Sequence, residues 1–351
     1  MPDLFIKRLN RGQGKELILY SQKDNDYKVF EGLPSVSGNQ THLRFHPTRF
    51  EWVGYSTSRQ NRTFLPDAHD CPLCPMSDNK DLSDIPVDQY EVAIFTNRFS
   101  SFQLSEIKAP SLEIETNQAT GTCDVISYSA KHNDEFSKLS SDRVELIIQA
   151  LSNRIRELYS NSKIIYVLPF ENKGKEVGVT LDHPHGQIYS FGHIPEIIKK
   201  QAIVQQSNPL KKHLGDIPKE LILQKNFSAI SFVPRWARYP FEIWVVPLRR
   251  VSNIFELSDT EQHDLAELML EASKKLDGVF NSSMPYTLAW QLSPKGFEDS
   301  HHFHVCFQPI RRSKTKLKYL AGVEQITGFF LVDLPPERSA RILRGEEKPD
   351  E

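Results

Sequence analysis

Asn172-Lys-Gly-Lys-Glu-Val-Gly178-Val-Thr180-Leu-Asp-His183-Pro-His185-Gly-Gln187-Ile-Tyr189 holds the densest chemistry of the 351-residue chain. Two histidines at i and i+2 of an extended segment point the same way. A single buried histidine is more often a satisfied core residue. Two on one face, followed by Gly186 and Gln187 and preceded by a glycine-containing loop, point to a site. Imidazole titrates near ~6.5, so at neutral pH a neutral ring nitrogen is available to attack phosphorus. Gly178 and Gly186 are expected to let backbone come close to a phosphate.

Working outward, the runs EWVGYS, EVAIFT, TCDVISY and KIIYVLPF are rich in β-branched and aromatic residues and read as strands. Val144, Ile147, Ile148, Leu151, Ile155 and Leu158 recur at spacings of three and four, an amphipathic helix with Asp142 and Glu145 as its expected capping pair. The second half repeats the order. FEIWVVP is a strand, Ser258 and Glu261 form a capping box ahead of Leu265, Leu268, Met269, Ala272 and Leu276, and YTLAWQL and HFHVCFQP mirror YVLPF and HPHGQIY. The pattern predicts an α+β protein of two duplicated halves, mainly antiparallel sheet with helices packed on it, the sheets joining into one. The polar stretch QQSNPLKKHLGDIPKE places the division between residues 1–215 and 216–351. In residues 1–43, LILY and YKVF read as edge strands or an extended arm, without an assigned role.

Composition excludes several classes. Forty-three Lys and Arg against forty-five Asp and Glu leave −2, no field for holding a long nucleic acid. With 39% hydrophobic and 25% charged residues the chain is expected to fold, and four cysteines are too few for a disulfide framework. The first twenty residues lack a secretory pattern and no window holds eighteen uncharged apolar residues, so no membrane contact and a cytoplasmic location are expected.

From about Arg44 to Arg344 the chain resembles the galactose-1-phosphate uridylyltransferases of the histidine-triad superfamily, which carry the His-Pro-His-Gly-Gln core. The resemblance implies duplicated histidine-triad-like halves, and it makes His185 the nucleophile. Gln187 stands where the hydrolase branches have a third histidine. A glutamine there marks nucleotidyl transfer, since an amide donates to a phosphoryl oxygen and does not protonate a leaving group. Arg59 and Arg62 match the family's nucleotide-binding arginines, and Asn97 a nucleotide contact. Asn172, Gly178 and Thr180 fall in the loop wrapped around the phosphates, with Thr180 where the family often has serine. Lys318 and Glu324 match positions used on the hexose phosphate and its hydroxyls.

Cys71 and Cys74, in Asp-Cys-Pro-Leu-Cys-Pro, have the two-residue spacing of a thiolate chelate, and no second such pair exists. The resemblance supplies His132 and His183 as the other ligands of a closed structural zinc site. Some family members bind a second metal through a histidine pair, a further histidine and a glutamate. Here Gln291 and Gln201 stand at two of those four positions, so no tight second metal is expected at His301, His302 and His304. Strand alternation places His302 and His304 on one face, with Phe303 and Val305 on the other.

The implied reaction is transfer of UMP from UDP-glucose to galactose 1-phosphate through a covalent uridylyl-histidine, in a homodimer. Two alternatives are a sister nucleotidyltransferase using inorganic phosphate or ADP-sugars, and a zinc-stabilised nucleotide-binding protein without turnover.

Overall fold

β-Branched and aromatic residues gather into strands, and two long amphipathic stretches make the helices that cover them. The computed structural model describes residues 4–12, 15–30, 41–57, 66–77, 80 and 83–350. Arg59 and Arg62 lie outside the described residues. The strands are β1 (Phe5–Asn10), β2 (Glu16–Ser21), β3 (Thr41–His46), β4 (Glu51–Ser56), β5 (Val92–Thr96), β6 (Thr116–Gln118) and β7 (Gly121–Ser127). Helix α1 (Ser141–Ser160) leads into β8 (Tyr166–Lys173) and β9 (His185–Phe191), followed by α2 (Glu196–Ser207) and α3 (Leu210–Leu214). The second half holds β10 (Ile222–Lys225), β11 (Ala229–Phe232), β12 (Ile243–Pro247), α4 (Asp259–Val279), β13 (Tyr286–Gln291), β14 (His304–Pro309), α5 (Gly322–Thr327) and α6 (Pro336–Leu343).

Eleven strands form one sheet in the order β1-β2-β5-β7-β9-β8-β13-β14-β12-β11-β10, every pairing antiparallel. The expected duplication is written in its register. One row of directly opposed residues runs Leu17, Phe95, Val125, Gln187, Phe170, Ala289, Cys306, Trp244, Phe232. Counting outward from the central β8–β13 seam, Phe170 answers Ala289, Gln187 answers Cys306, Val125 answers Trp244, and Phe95 answers Phe232.

Period-two alternation then sorts the faces. Ile18, Ile94, Ile126, Ile188, Leu288 and Phe307 pack against α1 and α4 in the main core. The opposite face carries Leu17, Phe95, Val125, His185 and Gln187, and it is this face that the Cys71 loop covers. Strands β3, β4 and β6 form a separate three-stranded sheet.

Capping differed between the two helices. Ser258 and Glu261 make the reciprocal capping box of α4 as expected. Helix α1 is capped instead by Ser140, whose side chain accepts from the Arg143 N–H at 3.2 Å. Asp142 lies in its first turn, where the positive end of the helix dipole favours an acid, and Glu145 reaches across to His263 on α4 at 2.9 Å.

The LILY stretch is β2, which with β1 forms a hairpin on the outer edge of β5. Arg154 of α1 pins it there, donating to Asp124 at 2.8 Å and to Glu16 at 2.6 Å. An arginine this buried requires such partners.

Candidate active site and metal centre

His185 opens β9, and its Nδ1 lies 2.8 Å from the His183 carbonyl. A carbonyl only accepts, so Nδ1 carries the proton and Nε2 keeps its lone pair. Burial lowers the pKa of the ring, favouring the neutral form.

Two cavities flank this ring. The first is lined by His185, Gln187, Thr180, Asn97, Arg98 and Asp84 among others, with Phe95 and Val125 on its floor. The second reaches His185 from the side of Asn172, Gly174 and Glu171. Asn97, Thr180 and Gln187 are thus gathered around His185 on one side and Asn172 on the other. Gly178 takes a left-handed conformation, φ 79°, closing the turn between them. Lys318 and Glu324 line neither cavity. They pair with each other at 3.0 Å, Lys318 also donates to the Leu331 carbonyl, and the segment around them exposes Tyr319, Val323, Ile326 and Phe329. Arg98 and Asp84 were not expected from the sequence. An acid and a base in polar loops carry no periodic signal that separates them from surface groups.

Gly186 has a further reason beyond the one expected. Its missing side chain faces the helix side, where a Cβ would meet the Tyr128 hydroxyl at 2.3 Å and the Phe170 carbonyl at 3.0 Å. Behind it sits Glu171, 4% exposed, with Tyr286 Oη 3.5 Å from Oε1 and with Oε2 unpartnered among the described residues. Burial raises its pKa to about 7, against opposing contributions from Lys173 and from the Tyr128 and Tyr286 hydroxyls. A carboxyl raised from 4.5 to about 7 on folding holds an extra proton in the native state between those values. Its stability contribution is therefore present below pH 4.5 and is lost as pH rises toward 7, about 3 kcal/mol in all. Glu171→Gln is expected to remove this slope, so urea unfolding of wild type and variant compared at pH 5 and 7.5 should diverge by that order. Parallel profiles would show that Glu171 is ionised in the fold.

Cys71, Cys74, His132 and His183 converge, with their donor atoms all within 4.8 Å of one another. Cys74 Sγ is 3.4 Å from Nδ1 of both histidines, and Cys71 Sγ is 3.8 Å from His183 Nδ1. Tetrahedral bonds of zinc to sulfur and nitrogen require donor separations of roughly 3.4–3.8 Å, so the group fits a metal ion. His183 Nε2 donates to the Ser129 carbonyl at 2.7 Å, which leaves Nδ1 as the ligating nitrogen. Lys80 holds the Cys71 and Cys74 carbonyls at 2.6 and 3.0 Å, and Tyr90 the Leu73 carbonyl at 2.7 Å.

The second histidine strand repeats this backbone chemistry without the site. His302 Nε2 donates to the Pro247 carbonyl and His304 Nδ1 to the His302 carbonyl, both at 2.8 Å, as in His183 and His185. Trp244 stacks on His304 with centroids 4.5 Å apart, filling the space that Val125 leaves open in the other half. His301 Nε2 is turned to the Gln291 carbonyl at 2.9 Å.

An imidazole with an unprotonated ring nitrogen facing a cavity, a Gln two residues on and a Cys–His cluster behind them, on a duplicated antiparallel sheet, make a site suited to group transfer at phosphorus. The sequence model described as galactose-1-phosphate uridyl transferase, N-terminal domain, matches residues 20–195, and its C-terminal domain counterpart matches 207–349. The Thermotoga maritima protein named galactose-1-phosphate uridylyltransferase is 32% identical over 321 residues, covering 87% of this chain and 98% of its own. The Streptomyces lividans protein of that name is 27% identical, covering 94% and 95%. A solved structure titled uridylyltransferase superposes with a TM-score of 0.77 at 25% identity, over 87% of this chain and 98% of its own. The chain belongs to the galactose-1-phosphate uridyl transferase family.

Proposed function

We propose that this enzyme moves UMP between UDP-glucose and galactose 1-phosphate through a uridylyl group carried on His185. The observation that carries the reading is the Nδ1 contact to the His183 carbonyl, which leaves Nε2 unprotonated beside Gln187 and Thr180. The Nε2 lone pair forms the N–P bond at the α-phosphorus while the P–O bond to glucose 1-phosphate breaks. The leaving group departs as a phosphate monoester, stable as an anion, and needs no proton. That is why a glutamine suffices at position 187: its amide donates to a nonbridging oxygen and holds the phosphoryl group in line. In the return step galactose 1-phosphate attacks the same phosphorus and His185 is released neutral. Arg59, Arg62, Asn97, Asn172, Gly178 and Thr180 are assigned to the nucleotide and its phosphates.

A zinc ion held by Cys71, Cys74, His132 and His183 would supply structural charge neutralisation and no reactive step. These four residues tie the Cys loop to the segment whose carbonyl orients His185. We assign residues 1–215 and 216–351 as the two halves. The exposed apolar segment around Lys318 and Glu324 supports a homodimer in which these two side chains serve the partner's hexose phosphate. Among the described residues no helix is long and apolar enough to cross a membrane, and we place the enzyme in the cytoplasm. Protein incubated with UDP-glucose and quenched in alkali is expected to carry one uridylyl group on the His185 peptide, lost on acid treatment and absent in His185→Ala. Unmodified His185 during turnover with both sugar phosphates would overturn the reading.

A further inference from the structure

Tyr90, just before β5, places its hydroxyl where three parts of the site meet. The residue is 6% exposed and its ring packs in the apolar cluster of Leu17, Leu19, Leu73 and Phe95 under the Cys loop. A phenylalanine would fill that space as well. The hydroxyl oxygen lies 2.7 Å from the Leu73 carbonyl, 2.8 Å from Ser127 Oγ, 2.8 Å from the Ser129 carbonyl and 3.2 Å from His183 Nε2. Three of these partners lead to different pieces of the chemistry. Leu73 sits inside the Cys71–Cys74 turn and lines the pocket of His185. Ser127 stands directly opposite His185 in the β7–β9 register. His183 belongs to the Cys–His cluster, and its own carbonyl accepts from His185 Nδ1.

A phenol has one proton to give and two lone pairs, which decides how the four contacts are shared. The Ser129 carbonyl is already served by His183 Nε2–H at 2.7 Å. Among the described residues no other donor reaches the Leu73 carbonyl, so the phenol proton goes there. Ser127 Oγ–H then donates to Tyr90, and the His183 N–H, facing two oxygens, divides between Ser129 and Tyr90. Every donor in the group has an acceptor. One oxygen thus fixes the backbone of the chelating turn and helps to hold the plane of the imidazole that the turn faces.

We infer that the Tyr90 hydroxyl is a positioning group that fastens the Cys71–Cys74 turn to the His183 imidazole and, through the His183 carbonyl, aims His185. Groups that bond the outer nitrogen of a ligating histidine set its orientation and its strength as a ligand. The metal half of the inference needs only the Cys–His cluster, and the catalytic half rests on the uridylyl-transfer reading.

Tyr90→Phe keeps the ring and deletes the hydroxyl. It is expected to raise the zinc dissociation constant about 10- to 100-fold, read by competition with a chromophoric chelator. The absorption bands of the cobalt-loaded protein, which report ligand geometry, should shift with it. For uridylyl transfer, kcat should fall about 10-fold while KM for UDP-glucose changes less than about twofold. Ser127→Ala leaves the Leu73 carbonyl bonded and should weaken zinc less than about threefold. Leu19→Val removes volume from the same cluster and touches no polar group, so the melting temperature should fall with zinc affinity within about twofold of wild type. Wild-type zinc affinity and cobalt bands in Tyr90→Phe, or equal weakening in Leu19→Val, would overturn the inference. Weakened zinc beside an unchanged kcat would overturn its catalytic half. Wild-type protein that forms no uridylyl-His185 would instead sink the uridylyl-transfer reading and leave the zinc comparison standing, so the two failures are distinct.

Discussion

Gly186→Ala is expected to lower kcat by about 100-fold or more while weakening the fold by about 2–3 kcal/mol. An added methyl group would lie 2.3 Å from the Tyr128 hydroxyl, 3.0 Å from the Phe170 carbonyl and 3.2 Å from Ile126. The hydroxyl must retreat by roughly 1 Å to reach contact distance, and Tyr128 is buried beside Glu171 with nowhere to move. The strand yields instead. Position 186 lies between His185 and Gln187, so any displacement is delivered to the proposed nucleophile and to the amide proposed to hold the phosphoryl oxygen together. Tyr128→Phe in the same chain deletes the closest atom and leaves the 3.0 and 3.2 Å contacts, so the double variant should recover part of kcat and part of the melting temperature. Steady-state kinetics and thermal unfolding of both single variants and the double variant form the cycle. Wild-type kcat in Gly186→Ala would mean that the strand tolerates the shift and that its backbone position is not critical.

The duplicated architecture was legible because both signals on which it rests are local. YVLPF and YTLAWQL alternate correctly for the two central strands, and Ser258 with Glu261 announces the start of α4. The cap of α1 was misplaced by two residues because Ser140, Asp142 and Glu145 all lie near the start, and only backbone geometry decides which oxygen meets an N–H. The metal cluster was accessible through Cys71 and Cys74. His132 was assigned to it by resemblance alone, as 58 residues separate it from Cys74 and no spacing rule links them. Glu171, Tyr128 and the Asp84–Arg98 pair were invisible for the same reason: they are contacts between strands and loops that no spacing rule links. Gly186 was expected to let backbone come close to a phosphate, and the crowding behind it was not legible, because sequence alone does not say which face of the strand is crowded.

Cys71→Ser is expected to drop bound zinc from about one equivalent per chain to near zero and to lower the melting temperature by on the order of 10 °C. The effect should be large but short of global unfolding, and the reason lies in what holds the loop besides the metal. Lys80 and Ser83 both bond the Cys74 carbonyl, Lys80 also the Cys71 carbonyl, and Tyr90 the Leu73 carbonyl, so the backbone of the Cys loop has partners of its own. His183 is less secure. Its Nε2–H bond to the Ser129 carbonyl persists and keeps the tautomer, but without the metal only Cys74 Sγ at 3.4 Å faces Nδ1, so the ring and its backbone are held less firmly. The carbonyl of His183 is the acceptor that keeps the proton on Nδ1 of His185. A shift of that carbonyl releases the orientation of His185, so kcat should fall about 100-fold while KM for UDP-glucose, whose proposed contacts lie on the other side of His185, should change less than threefold. Chelated wild-type enzyme should regain activity when zinc is restored, and the variant should not. Full activity in zinc-free Cys71→Ser would uncouple the metal cluster from the nucleophile and leave it a purely local staple.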